Sequence, residues 1–113
     1  MRKLSTFTAV VAAGAALAFA SASAASVTKT VNVRDDSFSR SSLTIHKGDK
    51  VKFAWQDTSD KHNVTVDSGP SDFNSKTKRG NYTYTHTFGK TGTYTLHCTI
   101  HPESMIIKVK VKK

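Results

Sequence analysis

Between positions 98 and 105 the run Cys98-Thr99-Ile100-His101-Pro102-Glu103-Ser104-Met105 places a thiol, an imidazole and a thioether within eight residues. Soft or borderline metal ions prefer such donors, because sulfur gives up electron density readily and neutral imidazole suits the same ions. A second imidazole stands upstream in Asp60-Lys61-His62-Asn63-Val64, at the head of an apolar alternation. His62, Cys98, His101 and Met105 can therefore make a two-nitrogen, two-sulfur site, provided the fold brings them to one place. Each has an ordinary use when taken alone: Cys98 and Met105 as core atoms, His101 as a loop residue beside Pro102, His62 as a strand-end residue. Their conjunction and spacing are what favour the metal.

The elements that must position these residues are strands. Val31 and Val33 alternate with polar neighbours, as do Leu43 and Ile45, which the turn signal Lys47-Gly48-Asp49 closes. In Lys50-Val51-Lys52-Phe53-Ala54-Trp55 the apolar residues share one face and the lysines the other, the pattern of an antiparallel sheet with one wet face. His62, Val64 and Val66 share parity, so a strand beginning at His62 aims it to the same side as its valines. Tyr82, Tyr84, His86 and Phe88 alternate with threonines, then Tyr94, Leu96 and Cys98 keep one parity while His97 falls on the other. Ile107, Val109 and Val111 alternate with Lys108, Lys110 and Lys112, and Met105 shares the apolar parity at the start of that last strand. Asp35-Asp36-Ser37-Phe38-Ser39 reads as a turn or loop, and Asp67 to Asn81 as a long loop that carries Phe73 inward.

Seven to eight short strands, without helical periodicity beyond the first residues, indicate an all-β sandwich. By parity His62, Cys98 and Met105 each lie at the end of an inward-facing strand, and the Cys-x-x-His spacing returns His101 over the connecting loop. The site then sits at one pole. Thiolate, two imidazoles and a weak axial thioether form the donor set of an electron-transfer copper centre. His46 and His97 face outward by parity, and His86, which shares the parity of Phe88, is not expected among the ligands.

The first residues are read as an address. Arg2 and Lys3 precede an alanine-rich apolar run from Ala9 to Ala20 that is too short to span a bilayer, and Ala22-Ser23-Ala24 fits a small-x-small cleavage site. Residues 1–24 are expected to be a cleavable signal peptide and residues 25–113 one small domain, without a membrane span after cleavage and located in the periplasm or outside the cell. Cys98 is the sole cysteine, so the exported chain has no internal disulfide, and the thiol is inert, paired between chains, or occupied by a metal. Cleavage takes two charges off the formal +9. The remaining lysines are scattered and accompany no nucleic-acid motif, which excludes a nucleic-acid role and leaves a solvated basic surface able to meet acidic partners.

At these residues the chain resembles the cupredoxin family of type I copper proteins, in its plastocyanin and amicyanin branch. The resemblance runs through Leu43-Thr44-Ile45-His46-Lys47-Gly48-Asp49, His62-Asn63-Val64, Phe88-Gly89-Lys90-Thr91-Gly92-Thr93-Tyr94 and Cys98-Thr99-Ile100-His101-Pro102. It implies a cupredoxin-like Greek-key β-sandwich that holds one copper ion, cycling between Cu(I) and Cu(II), with His62, Cys98 and His101 as equatorial ligands and Met105 axial. It also implies that Asn63 ties the two ligand loops together by hydrogen bonds. The spacing departs from the family at one point, since three residues separate His101 from Met105 where short-loop relatives have two and the plastocyanin pattern four. Ile106-Ile107 also stands where a glycine is expected. Moving the axial position by one residue offers only Ser104 or Ile106, neither a soft donor. The expected function is a monomeric one-electron carrier between redox proteins with acidic docking patches, and not an enzyme, because no equatorial position is left open. The same ligands would also serve a copper carrier or storage module, and Glu103 could complete a zinc-stabilised structural site with His62, Cys98 and His101.

Overall fold

The long apolar alternations around Val31, Leu43, Val51, Leu96 and Val109 become strands with one buried face. The computed structural model describes residues 25–113, and the expected signal peptide with its cleavage site lies outside the described residues. The described chain is all-β, with ten strands: β1 (Thr28–Arg34), β2 (Ser37–Phe38), β3 (Ser42–His46), β4 (Lys50–Trp55), β5 (Thr58–His62), β6 (Thr65–Ser68), β7 (Lys78–Gly80), β8 (Thr83–Thr87), β9 (Gly92–His97) and β10 (Ile106–Lys112). One sheet runs β2-β1-β4-β8, the second β3-β10-β9-β6, and β5 pairs with β7 in a small side sheet. The strands in excess of seven or eight are short: β2, which turns Phe38 into the core, and the polar β5–β7 pair.

The two larger sheets face each other over one apolar cluster. Val31, Val33, Val51, Phe53 and Trp55 meet Ile45, Leu96, Ile107 and Val109 there, and Cys98 and Met105 belong to the same cluster. Burying each large side chain contributes about 1.5–3 kcal/mol, so this cluster is the main reason the sandwich closes. The outward edges of β10 and β4 carry lysines, which keeps one face of each sheet wet.

Three local expectations are corrected. The sheets are mixed rather than antiparallel: β4 lies antiparallel to β8 but parallel to β1, and β10 lies antiparallel to β9 but parallel to β3. After β2 the chain crosses to the other sheet as β3 before returning, and a crossover of that kind permits parallel entry. His62 ends β5 instead of beginning a strand with Val64 and Val66. The alternation breaks because the Val64 N–H donates to Ser75 Oγ at 2.8 Å and the Val64 carbonyl accepts from Ser75 N. The stretch from Asp67 to Asn81 is not all loop, since it contains the end of β6, the whole of β7 and a bridge between Thr65 and Asn74. Phe73, half-buried, does pack on the core there.

Candidate metal centre

Cys98 follows directly on β9, whose inward residues are Tyr94 and Leu96, so strand parity alone turns the thiol into the core, where it is fully buried. The loop that follows is short and closed on itself. Cys98 N donates to the Met105 carbonyl at 3.1 Å and His101 N to the Cys98 carbonyl at 3.2 Å. Met105 N donates to the His101 carbonyl at 3.0 Å. That last bond makes a five-residue turn over Pro102, Glu103 and Ser104, and it absorbs the three-residue gap. Met105 leaves the turn on the apolar parity of β10, fully buried and one residue before the strand begins.

His62 reaches the same pole from β5. Its ring is fully buried, and its Nδ1 is a buried polar atom without a hydrogen-bond partner. One donor atom each from His62, Cys98 and His101 lie within 4.8 Å of one another. The two imidazole centroids are 4.9 Å apart, and Cys98 Sγ lies 3.8 Å from His101 Nδ1. A buried polar atom left unpaired costs free energy comparable to a lost hydrogen bond, so the free lone pair of His62 beside a thiol and a second imidazole is a built position for an electrophile. A soft cation fits this donor set, and the thioether of Met105 adds a neutral soft donor in the same apolar cluster. Glu103 is exposed and belongs to neither cluster of potential ligands found among the described residues.

Asn63 holds the surroundings together. Its Oδ1 accepts from Thr99 N at 3.1 Å and from Thr65 Oγ1 at 2.9 Å, while its Nδ2 donates to Thr99 Oγ1 at 2.8 Å and Thr77 Oγ1 at 3.0 Å. One side chain thus joins the His62 segment, the Cys98–His101 loop and the segment that leads into β7.

Sequence reasoning missed two residues. Asp35 and Asp36 form the two-residue connection between β1 and β2, and their carboxylates reach the far nitrogens of the two histidines. His62 Nε2 lies 3.0 Å from Asp35 Oδ1, and His101 Nε2 lies 3.2 Å from Asp36 Oδ1. Asp35 also accepts from Ser59 N, Ser59 Oγ and Asp60 N at 2.9–3.1 Å. The hydrogen bond from His62, then those from the backbone of Ser59 and Asp60, hold the Asp35 carboxyl well below the usual carboxylate range. Parity cannot reveal a contact across 27 residues. The only available signal was two adjacent acids in a chain with eight acidic residues in all.

The remaining histidines stay out. His46 is exposed, and His97 is half-covered on the outward side of β9. His86 stacks on Phe73 with ring centroids 3.6 Å apart and meets the Phe88 ring edge-on, and burial there pushes its pKa down.

A two-sheet sandwich with His, Cys, His and Met gathered at one pole is the arrangement of a cupredoxin. Over residues 7–110 the chain matches the cupredoxin-like domain family, and it belongs to that family. Among solved structures it is similar to the Cu-containing nitrite reductase NirK from Thermus scotoductus SA-01, at 30% identity and a TM-score of 0.68 over 75% of this chain. The match spans only 22% of that reductase. It is similar at 26% identity and a TM-score of 0.66 to an oxidised variant of amicyanin, covering 74% of this chain and 81% of that one. It is also similar to a reduced Cu(I) form of an amicyanin variant at pH 4, at 25% identity and a TM-score of 0.66, covering 81% and 87% of the two chains. No curated protein sequence matches the chain.

Proposed function

We propose that this chain is an exported electron carrier that holds one copper ion on His62, Cys98 and His101, with Met105 as the weak fourth donor. The observation that carries the reading is the orphaned, fully buried Nδ1 of His62, whose neighbours are a thiol and a second imidazole. Copper bound there supplies a centre that alternates between Cu(I) and Cu(II), and this mixture of soft and borderline donors suits both. The chain's own contribution is rigidity. Cys98 and Met105 are pinned by the backbone bonds of their loop, and His62 is pinned by Asp35 and by the core. Little then has to move when the charge changes.

Cys98, Met105 and His62 are fully buried, whereas the side chain of His101 is 22% exposed. His101 is therefore the natural port for an electron, and the burial of the other donors leaves no substrate position, in keeping with a carrier rather than an enzyme. The net positive charge that remains after Arg2 and Lys3 leave with the signal peptide steers acidic redox proteins from a distance, while Asp36 is the charge a partner meets at the port itself. A monomer suffices, because all four donors come from one chain. Export rests on the basic start, apolar run and small-residue exit of residues 1–24. Among the described residues no helix is long and apolar enough to cross a membrane.

The test separates carrying electrons from delivering copper. Copper-loaded protein, cycled repeatedly by a mild reductant and oxidant in the presence of a copper chelator, is expected to keep one equivalent of metal and return to the same spectrum each time. Rapid transfer of the metal to the chelator with the fold intact would instead assign a copper-delivery role.

A further inference from the structure

The β1–β2 connection consists of Asp35 and Asp36 alone, and it faces both imidazoles of the candidate centre. A carboxylate beside Nε2 requires that nitrogen to carry the hydrogen, which in a neutral ring leaves Nδ1 as the lone pair. Nδ1 is the unpartnered atom of His62 and the atom of His101 that faces Cys98 Sγ. Two carboxylates from a single turn thus face the two rings in the one orientation a metal needs. We propose that Asp35 and Asp36 are positioning residues, a paired clamp that holds His62 and His101 as Nε2–H tautomers with both Nδ1 lone pairs turned toward Cys98. Resting on the copper reading above, the clamp also places two negative charges behind the ligands, which favours Cu(II) over Cu(I).

The two aspartates differ in what else they do. Asp35 also binds the backbone of Ser59 and Asp60, so its replacement disturbs β5 as well as His62. Asp36 makes the cleaner probe. Its φ of +65° is a conformation that glycine and asparagine adopt readily, so Asp36→Gly and Asp36→Asn both keep the turn. The glycine removes charge and acceptor together, whereas the asparagine removes the charge and keeps an acceptor.

The experiment has two readouts on the full-length mature chain, with thermal unfolding confirming that each variant is folded. The first is nitrogen-15 NMR of the histidine rings in metal-free protein at neutral pH. Wild type and Asp36→Asn are expected to show His101 as the Nε2–H tautomer, and Asp36→Gly a mixture of tautomers with His62 unchanged. The second is copper binding. Asp36→Gly is expected to lose about tenfold or more in Cu(II) affinity, and a tenfold loss of Cu(II) relative to Cu(I) affinity raises the midpoint potential by about 59 mV. Asp36→Asn should show a rise in potential with its tautomer preserved. If wild type binds copper but neither the tautomer nor the midpoint moves in Asp36→Gly, the clamp is overturned. If the tautomer moves as expected while wild type fails to bind copper, the clamp stands and the electron-carrier reading falls.

Discussion

Asparagine at position 63 supplies two donors and one acceptor in a plane, and the structure uses all of them to join segments that carry different candidate ligands. Aspartate there would lose both donors, and a hydrophobic residue would leave the polar groups of Thr99 and Thr77 to find other partners. His86 shows a different residue-scale effect, since burial between Phe73 and Phe88 lowers its pKa from the ordinary 6.5. The unfolded chain then binds that proton more readily than the fold does. The stability His86 contributes is fully present above pH 6.5 and is lost as the pH falls through the lower folded value. Urea unfolding of wild type and His86→Phe between pH 5 and pH 7.5 should show wild type losing stability on acidification relative to the variant. Parallel curves would remove His86 from the acid response. At this scale Cys98, His101 and Met105 were legible because they are close in sequence and parity assigns Cys98 and Met105 inward. Asp35 and Asp36 were not, because a contact between a turn and a distant strand end leaves no trace in local periodicity.

Elements set the site by where they stop. β9 ends at His97, so Cys98 begins the loop while still on the buried side, and the turn closed by Met105 N and the His101 carbonyl delivers the thioether to β10 in register. At its other end β9 starts at Gly92, where φ is +136° and an added Cβ would stand 2.6 Å from Pro70 Cγ. Gly92→Ala is expected to cost about 2 kcal/mol from backbone strain and the clash together, measured as a lower urea midpoint with unchanged slope. An unchanged midpoint would show that the Pro70 segment yields freely. The long strands were legible because burial on one face imposes a period of two. The parallel pairing of β1 with β4 was not, since it depends on which sheet the intervening chain visits. β5 and β7 were missed for another reason: they are polar strands of a side sheet, held by pairs such as Thr58 with Gly80 rather than by an apolar face.

For the whole molecule, one apolar cluster spans both sheets and reaches the pole where the donors gather, so the rigidity of the core is also the rigidity of the site. Cys98 and Met105 are members of that cluster, and His62 is as deeply buried as they are. The sandwich therefore holds three of the four candidate donors in its interior, and of the four only His101 meets solvent. The direct test of this account is the visible absorption spectrum of the protein after one equivalent of Cu(II), recorded for wild type and for Cys98→Ser. The account predicts an intense blue colour from thiolate-to-copper charge transfer in wild type, and its complete loss in Cys98→Ser. A colourless wild-type complex, or a band that survives replacement of the thiol, would contradict it.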